Sequence, residues 1–343
     1  MILPTTYVAA LLLTLLTMFC WGSWANTTKL TGKWRFELFY FDYSFGVLLL
    51  AVLAAVTLGS MGDDLTAFDN FLIASKRKMA WGFAGGIVFN LANMLLVAAI
   101  TVAGLAVAFP VGIGLALVIG VVWNYFLNPQ GNPGLLFGGA ALVVGAIIVC
   151  AMAYKAHAAS KKPVPGQALT PKRAGRGLVL SLIAGVLMGS FYPLVEIGMT
   201  GDFALAPYSI ALMFALGVFL STFFFNIVFM NMPVDGPAIS PFQYFRGSLW
   251  QHALGIIGGA VWCVGTIANF LASSAPPEVN VGPAVSYALG QGATLISTLW
   301  GLLVWKEFQG ATRRVRTLIA VMLTLFVLGL ALISVAPLVG VNR

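Results

Sequence analysis

The sequence predicts an all-α integral membrane protein whose ten transmembrane helices form two inverted five-helix repeats. Three observations lead there. Of 343 residues, 60% are hydrophobic and 8% charged, with mean hydropathy +0.97, whereas soluble domains carry about 25% charged residues. The apolar residues fall in runs of bilayer length, and the two halves of the chain share motifs in the same order. This composition excludes soluble enzymes, nucleic-acid-binding domains and secreted disulfide scaffolds. The net charge of +8 reads as membrane orientation, not as a nucleic-acid footprint. Cys20, Cys150 and Cys263 sit inside apolar runs as small packing residues. With two histidines and no Cys/His cluster, neither a metal site nor a cofactor is expected.

A spanning helix needs about 20 mostly apolar residues. On that basis the spans are 6–25, 38–60, 79–100, 103–126, 135–154, 177–199, 206–230, 249–272, 280–304 and 315–337. The third and fourth are split because one helix from Met79 to Phe126 would be roughly 70 Å long, far beyond a bilayer. The first run lacks the basic flank of a cleavable signal and is read as a retained helix. Lys29, Lys33 and Arg35 follow the first span; Lys155, Lys161, Lys162, Lys172, Arg173 and Arg176 follow the fifth. Arg246 follows the seventh, and Lys306, Arg313, Arg314 and Arg316 the ninth. The other side has Lys76, Arg77, Lys78 and Arg343. The positive-inside rule then puts the odd-numbered loops in the cytoplasm and both termini outside a plasma or inner membrane. The Pro-containing basic stretch 155–176 is the one linker. It separates a first repeat, 1–154, from a second, 177–343, and five helices per half require the second to lie upside down.

The repeat has a residue-level signature. Trp21-Gly22-Ser23-Trp24 in the first span matches Met188-Gly189-Ser190-Phe191 in the sixth. Gly85-Gly86 precedes Pro110 at the spacing with which Gly258-Gly259 precedes Pro283. Inverted repeats rocking around a midplane site are a transporter architecture. Each proline reads either as a local opening of the helix or as a packing kink.

Ionisable groups in hydrocarbon are costly, so Asp42 and Glu196, the acids within predicted spans, are the candidate proton carriers; interfacial anchoring or a hydrogen-bonded neutral acid is the alternative for each. Asn90, Asn93, Thr266, Asn269, Ser190, Tyr192, Ser286, Tyr287 and Gln291, with Trp21 and Trp24, offer amides, hydroxyls and indoles. Such a set suits a neutral, polar, ring-shaped solute, bonded at its edges and stacked on its faces. From it, Trp21, Trp24, Asn90, Asn93, Tyr192, Tyr287 and Gln291 are the candidate substrate contacts, with inter-helix hydrogen bonding as the competing role.

Several of these motifs resemble a known family. Trp21-Gly22-Ser23-Trp24 followed by Phe41-Asp42-Tyr43 is similar to the front of plant-type ureide permeases. Ala84-Gly85-Gly86-Ile87-Val88 with Asn93, then Asn124-Tyr125-Phe126-Leu127, continues the likeness. Trp300-Gly301 with Lys306-Glu307 resembles the end of the ninth helix there and in the glucose/ribose and rhamnose–proton transporters. The resemblance implies the drug/metabolite transporter superfamily: ten helices, inverted repeats and proton-coupled uptake of neutral solutes. The expectation is therefore a secondary transporter importing a sugar, ureide or nucleobase with a proton. Its partners are a small-molecule substrate, protons and the lipid bilayer. An exporter of metabolites or lipophilic drugs on the same fold is the alternative. An intramembrane enzyme would need a catalytic set, and His157 in the central loop and His252 near the start of the eighth span do not make one.

Overall fold

The computed structural model describes residues 1–62, 65–103, 105–160, 171–233, 237–276, 279 and 281–339. The middle of the expected linker, 161–170, lies outside the described residues, as do Asp63, Asp64, Glu278 and Arg343. So do the side chains of Pro110, Lys172 and Arg173.

The described chain is all-helical. Its helices are α1 (Tyr7–Ser23), α2 (Asn26–Leu30), α3 (Phe36–Val56), α4 (Ala67–Ile73), α5 (Lys76–Ala103), α6 (Leu105–Leu127) and α7 (Pro133–Ser160). Then come α8 (Pro171–Met199), α9 (Pro207–Asn231), α10 (Leu249–Ser273), α11 (Pro283–Gly290), α12 (Ala293–Leu299) and α13 (Arg313–Val335). Among the described residues, nine helical segments are long and apolar enough to cross a bilayer, and Val111–Leu127 is a shorter apolar helix. Helix starts follow local chemistry. Thr6 accepts a hydrogen bond from the Ala9 amide at the head of α1, and reciprocal capping boxes open α4 (Thr66 with Asp69) and α10 (Ser248 with Gln251). Proline stands at the start of α9 and α11, where its missing N–H has no intrahelical partner to lose.

The expected ninth span, 280–304, is interrupted: α11 stops at Gly290 and α12 begins at Ala293. A Cβ at Gly290 would lie 2.8 Å from the Trp21 ring, and one at Gly292 would lie 2.6 Å from the Met18 sulfur. The first helix presses its bulk into the break. A π-turn, Trp300–Val304, ends the span.

The surface is inverted relative to a soluble protein. Phe126, Phe224 and Leu303 are 78%, 68% and 73% exposed, while Asn90, Asn124, Asn226 and Asn269 are wholly buried. Apolar flanks around a polar interior are what a lipid environment selects.

Helix pairing follows a regular scheme. α1 packs on α10 and on α11–α12, as α8 packs on α5 and α6; α3 pairs with α10 as α9 pairs with α5; α7 pairs with α13. Glycines set the closest approaches. Side chains at Gly86 and Gly217 would overlap the Phe214 and Phe83 carbonyls across α5–α9. Those at Gly259 and Gly46 would overlap the Tyr43 and Ile256 carbonyls across α10–α3. Gly22 abuts Ala293 and Ile296, while Gly189 abuts Ala116 and Ile119. The glycines of the internal sequence match thus do the same mechanical work in both halves.

The loops gather at opposite ends of the bundle. At one, here the basic end, the chain around 24–35 meets 237–252 and 305–307: Gln251 donates to the Thr31 carbonyl, Arg35 to the Pro237 carbonyl, and Lys29 to Glu307. At the other, the Ile2 amide bonds Leu58, the Ser75 amide Phe203 and the Asn132 amide Ala336.

Candidate functional site

The bundle centre is aromatic and is assembled from α1, α3, α5 and α10. The Phe89 and Trp262 rings stack at 4.3 Å between centroids. Trp21 lies parallel to Trp262 at 6.0 Å, and Trp24 meets Tyr43 at 4.7 Å. Trp21 Nε1 donates to Thr266 Oγ1 at 3.2 Å, and Asn93 Nδ2 donates to Tyr40 Oη at 3.1 Å. From Tyr43 a ladder of rings runs toward the basic end, through Tyr40 (4.9 Å) to Phe36 (5.0 Å from Tyr40). Phe36 forms part of the wall of a cavity of about 260 Å³, together with Trp34, Glu37, Met94 and Thr101.

Beside this centre lie α8 and α11. The Tyr192 hydroxyl donates to Ser273 Oγ at 3.0 Å. The Tyr287 hydroxyl lies 3.2 Å from the Ala116 carbonyl and 3.1 Å from that of Met188, its ring resting on Gly120. It therefore joins three helices. Asn269 and Ser286 are doubly linked, amide to carbonyl and hydroxyl to carbonyl.

The structure thus brings Trp21, Trp24 and Asn93 into one cluster, with Tyr192 and Tyr287 on its flank. Gln291 sits at the break between α11 and α12. Asn90 is elsewhere: its Nδ2 faces α9, within reach of the Val218 carbonyl, Ser221 and Thr222.

The two embedded acids are far apart, near opposite ends. Asp42 accepts from the Tyr244 hydroxyl at 2.6 Å and pairs with His252 Nδ1 at 2.8 Å. Burial and the neighbouring carboxylate push the Tyr244 phenol above its ordinary pKa, so it stays a donor. Glu196 receives one amide bond, from Asn128 Nδ2 at 3.3 Å.

A further carboxylate, Glu307, organises the basic end. It accepts from Lys29 at 2.5 Å and from the Tyr154 hydroxyl at 2.8 Å, while its carbonyl accepts from His157 Nε2. A Cβ at Gly301 would stand 2.8 Å from Glu307 Oε2, so the glycine of Trp300-Gly301 leaves room for the carboxylate of Lys306-Glu307. Trp300 and Trp305 bond Ser23 and Asn26 across the same junction.

Tyr40, Phe89, Trp262 and Tyr244 do not emerge from sequence reasoning, where they are indistinguishable from packing aromatics. Tyr43 enters there only within the Phe41-Asp42-Tyr43 motif, and His252 is joined to Asp42 only by folding. Among the described residues, no group of three or more His, Cys, Asp or Glu is placed to hold a metal.

Comparisons with known proteins agree with one another. The family model described as "Ureide permease" matches residues 39–173 and 168–336. Ureide permease 1 of Arabidopsis thaliana is 26% identical, the match covering 95% of each chain. Ureide permease 2 of the same plant is 23% identical over 95% of this chain and 96% of its own. Probable ureide permease A3 of Vigna unguiculata is 30% identical over 39% of this chain and 38% of its own. A chain in a solved crystal structure has a TM-score of 0.59 at 18% identity, covering 95% of this chain and 96% of that one, a likeness of fold alone.

Proposed function

The chain belongs to the ureide permease family, and on that premise we propose that it is a secondary transporter taking up a small neutral ureide, coupled to protons. The full-length similarity to proteins named ureide permeases carries this reading. The interior supports it chemically: amides and hydroxyls hydrogen-bond solute edges while Trp21, Trp24 and Trp262 offer faces. A sugar would use the same groups, and a nucleobase is the nearest relative of a ureide in shape and hydrogen bonding. Export of metabolites or drugs is the remaining alternative.

The architecture proposed for this activity is ten membrane helices in two inverted repeats, 1–154 and 177–343, joined by a basic cytoplasmic linker at 155–176. Its support is the matched glycine contacts and the reciprocal pairing of α1 with α10 and α8 with α5. The basic end then faces the cytoplasm of a cell membrane and both termini face outward. Alternating access follows: the Lys29–Glu307 pair ties α2 to the chain just after Trp300–Val304 at the basic end, and its release would loosen that end. Trp21, Trp24, Asn93, Tyr192, Tyr287 and Gln291 contact or shape the solute; Asn90 braces α5 against α9. Of the two candidate acids, Glu196, held by a single amide contact, exchanges the proton, and Asp42 holds the Tyr244 and His252 contacts together.

The test is uptake of labelled allantoin, glucose and uracil into proteoliposomes with and without an imposed pH gradient. Uptake of the ureide that rises with an inward proton gradient is expected. Indifference to the gradient removes coupling, and failure to take up any ureide removes the substrate class.

A further inference from the structure

Cations at the basic end divide into those with a counter-charge and those without. Lys29 meets Glu307, Arg35 meets Glu37 and His252 meets Asp42. Arg313, Arg314 and Arg316, exposed at the start of α13, make no ion pair among the described residues. They do not serve the helix: its first turn carries no acid, and cations there oppose the helix dipole. Arg316 instead lines an open cavity of about 500 Å³, whose remaining wall is Leu302, Phe308, Gly310, Ala311 and Ile319. The wall is one guanidinium set in hydrocarbon. Leu303 and Val304, next to Leu302 in the chain, are exposed apolar residues, so the cavity adjoins the lipid-facing surface. Its inner wall belongs to the junction described above. Phe308 follows Glu307, and its ring lies 4.8 Å from that of Tyr154 and 5.2 Å from that of His157. Lys306, just before, holds a left-handed φ of 52°, which is costly for a residue with a side chain. The turn is braced from within by Glu307 and left open on its outer side.

We propose that this cavity is a binding site for an anionic phospholipid. Arg316, with Arg313 one helical turn away on the same side of α13, holds the headgroup phosphate, and part of an acyl chain lies against Leu302, Phe308 and Ile319. A guanidinium matches a phosphodiester in charge and geometry, and it stays charged at every working pH. Clustered basic residues at the end of a membrane helix attract anionic lipid; the apolar wall is what distinguishes this place from a solvated basic surface. A zwitterionic lipid brings its own ammonium group beside the phosphate, which the arginines repel. Occupancy braces the turn that carries Glu307, whatever solute is transported.

The experiment is a melting titration of the purified full-length chain in an uncharged detergent with dioleoyl phosphatidylglycerol, dioleoyl phosphatidylcholine or glycerophosphate. A ligand stabilises the folded form by mass action, so the half-saturating concentration reads affinity. Stabilisation by phosphatidylglycerol alone is expected. Arg316→Gln should raise its half-saturating concentration at least about fivefold. Arg314→Gln, the same charge change off the cavity wall, should raise it less than about twofold. Ala311→Phe, which fills the cavity and keeps every charge, should abolish the stabilisation. If Ala311→Phe does not yield folded protein, the two arginine variants decide alone. Absence of stabilisation by phosphatidylglycerol, or equal stabilisation by phosphatidylcholine, overturns the proposal. So do equal losses in the two arginine variants, the mark of diffuse attraction, and stabilisation that survives in Ala311→Phe. The same stabilisation by glycerophosphate would make this a site for a free phosphate and overturn the lipid assignment.

Discussion

The two ends of the bundle hold carboxylates in different company. At the basic end Glu307 meets an ammonium and a phenol, and Asp42 meets a phenol and an imidazole at 2.6 and 2.8 Å. At the opposite end Glu196, 3% exposed, has one amide donor at 3.3 Å. The nearby cation, Lys78, donates instead to the Ile197 and Thr200 carbonyls. Lys29 of α2 meets Glu307 just after Trp300–Val304, and Glu196 of α8 meets Asn128 just after α6. A charge pair holds the first junction and a carboxyl–amide contact the second. The lesson is that the two predicted acids are not equivalent: Asp42 is fixed by its partners, whereas Glu196 is held by a contact that separation of α8 from Asn128 would remove. A buried carboxyl with so little compensation is costly to keep charged.

The largest effect follows from that inequality. Glu196→Gln is expected to reduce gradient-driven accumulation at least about tenfold while sparing exchange of labelled for unlabelled solute, which needs no net proton movement. Asp42→Asn should lower both modes together, through loosening of the Tyr244–His252 contacts. Uptake with and without a pH gradient measures the difference, and equal losses in both variants would erase the distinction between the ends.

Much of this contrast is legible in the sequence, and the limits are physical. Composition and run length suffice for an all-helical membrane protein, because bilayer thickness fixes span length. Gly86 and Gly259 were recognisable since close helix approach demands glycine in both halves. Asp42 and Glu196 stood out by their cost in hydrocarbon. The break at Gly290–Ala293 was not readable, because it is made by Trp21 and Met18 from a distant helix. Nor were His252 and Tyr244, which lie some 200 positions from Asp42 in the chain. Tyr287 reads as a substrate contact by type, yet its hydroxyl lies against the carbonyls of two helices.

A middling effect is expected where the basic end is opened. Lys29→Ala and Glu307→Gln should each lower uptake about threefold to tenfold. They should also raise labelling of Cys20, a half-buried residue at the Trp21 turn, by a membrane-impermeant thiol reagent from the basic side. The partly exposed pair contributes only about 0.2–1 kcal/mol to stability, so folding yield should hold. The charge swap Lys29→Glu with Glu307→Lys should restore part of the activity. Labelling that stays at wild-type levels in both single variants would mean that the ion pair closes nothing.

A smaller effect separates space from charge. Gly301→Ala places a methyl 2.8 Å from Glu307 Oε2 and 3.4 Å from the Tyr154 hydroxyl, displacing the carboxylate without removing it. A twofold to fivefold loss of uptake is expected, roughly, since the carboxylate can still reach Lys29 through side-chain flexibility. Gly138→Ala, where nothing lies within 4 Å of the added atom, should change neither uptake nor stability.

The smallest effect concerns the support of Asp42. Tyr244→Phe removes one of the two bonds to the carboxylate and leaves the other, from His252. Since the Tyr244 phenol is pushed upward, it is protonated throughout the range in which the transporter works, and its loss should be felt equally at each pH. His252→Gln removes the other of the two bonds to the carboxylate and leaves the Tyr244 bond. Uptake rates divided by wild type at the same pH measure this: a ratio of about one half that does not vary with pH is expected for Tyr244→Phe, and a lower one when His252→Gln is added to it. A ratio for Tyr244→Phe that slopes with pH would mean that Asp42 itself changes charge at the basic end, and the fixed-versus-loose contrast between Asp42 and Glu196 would then reverse.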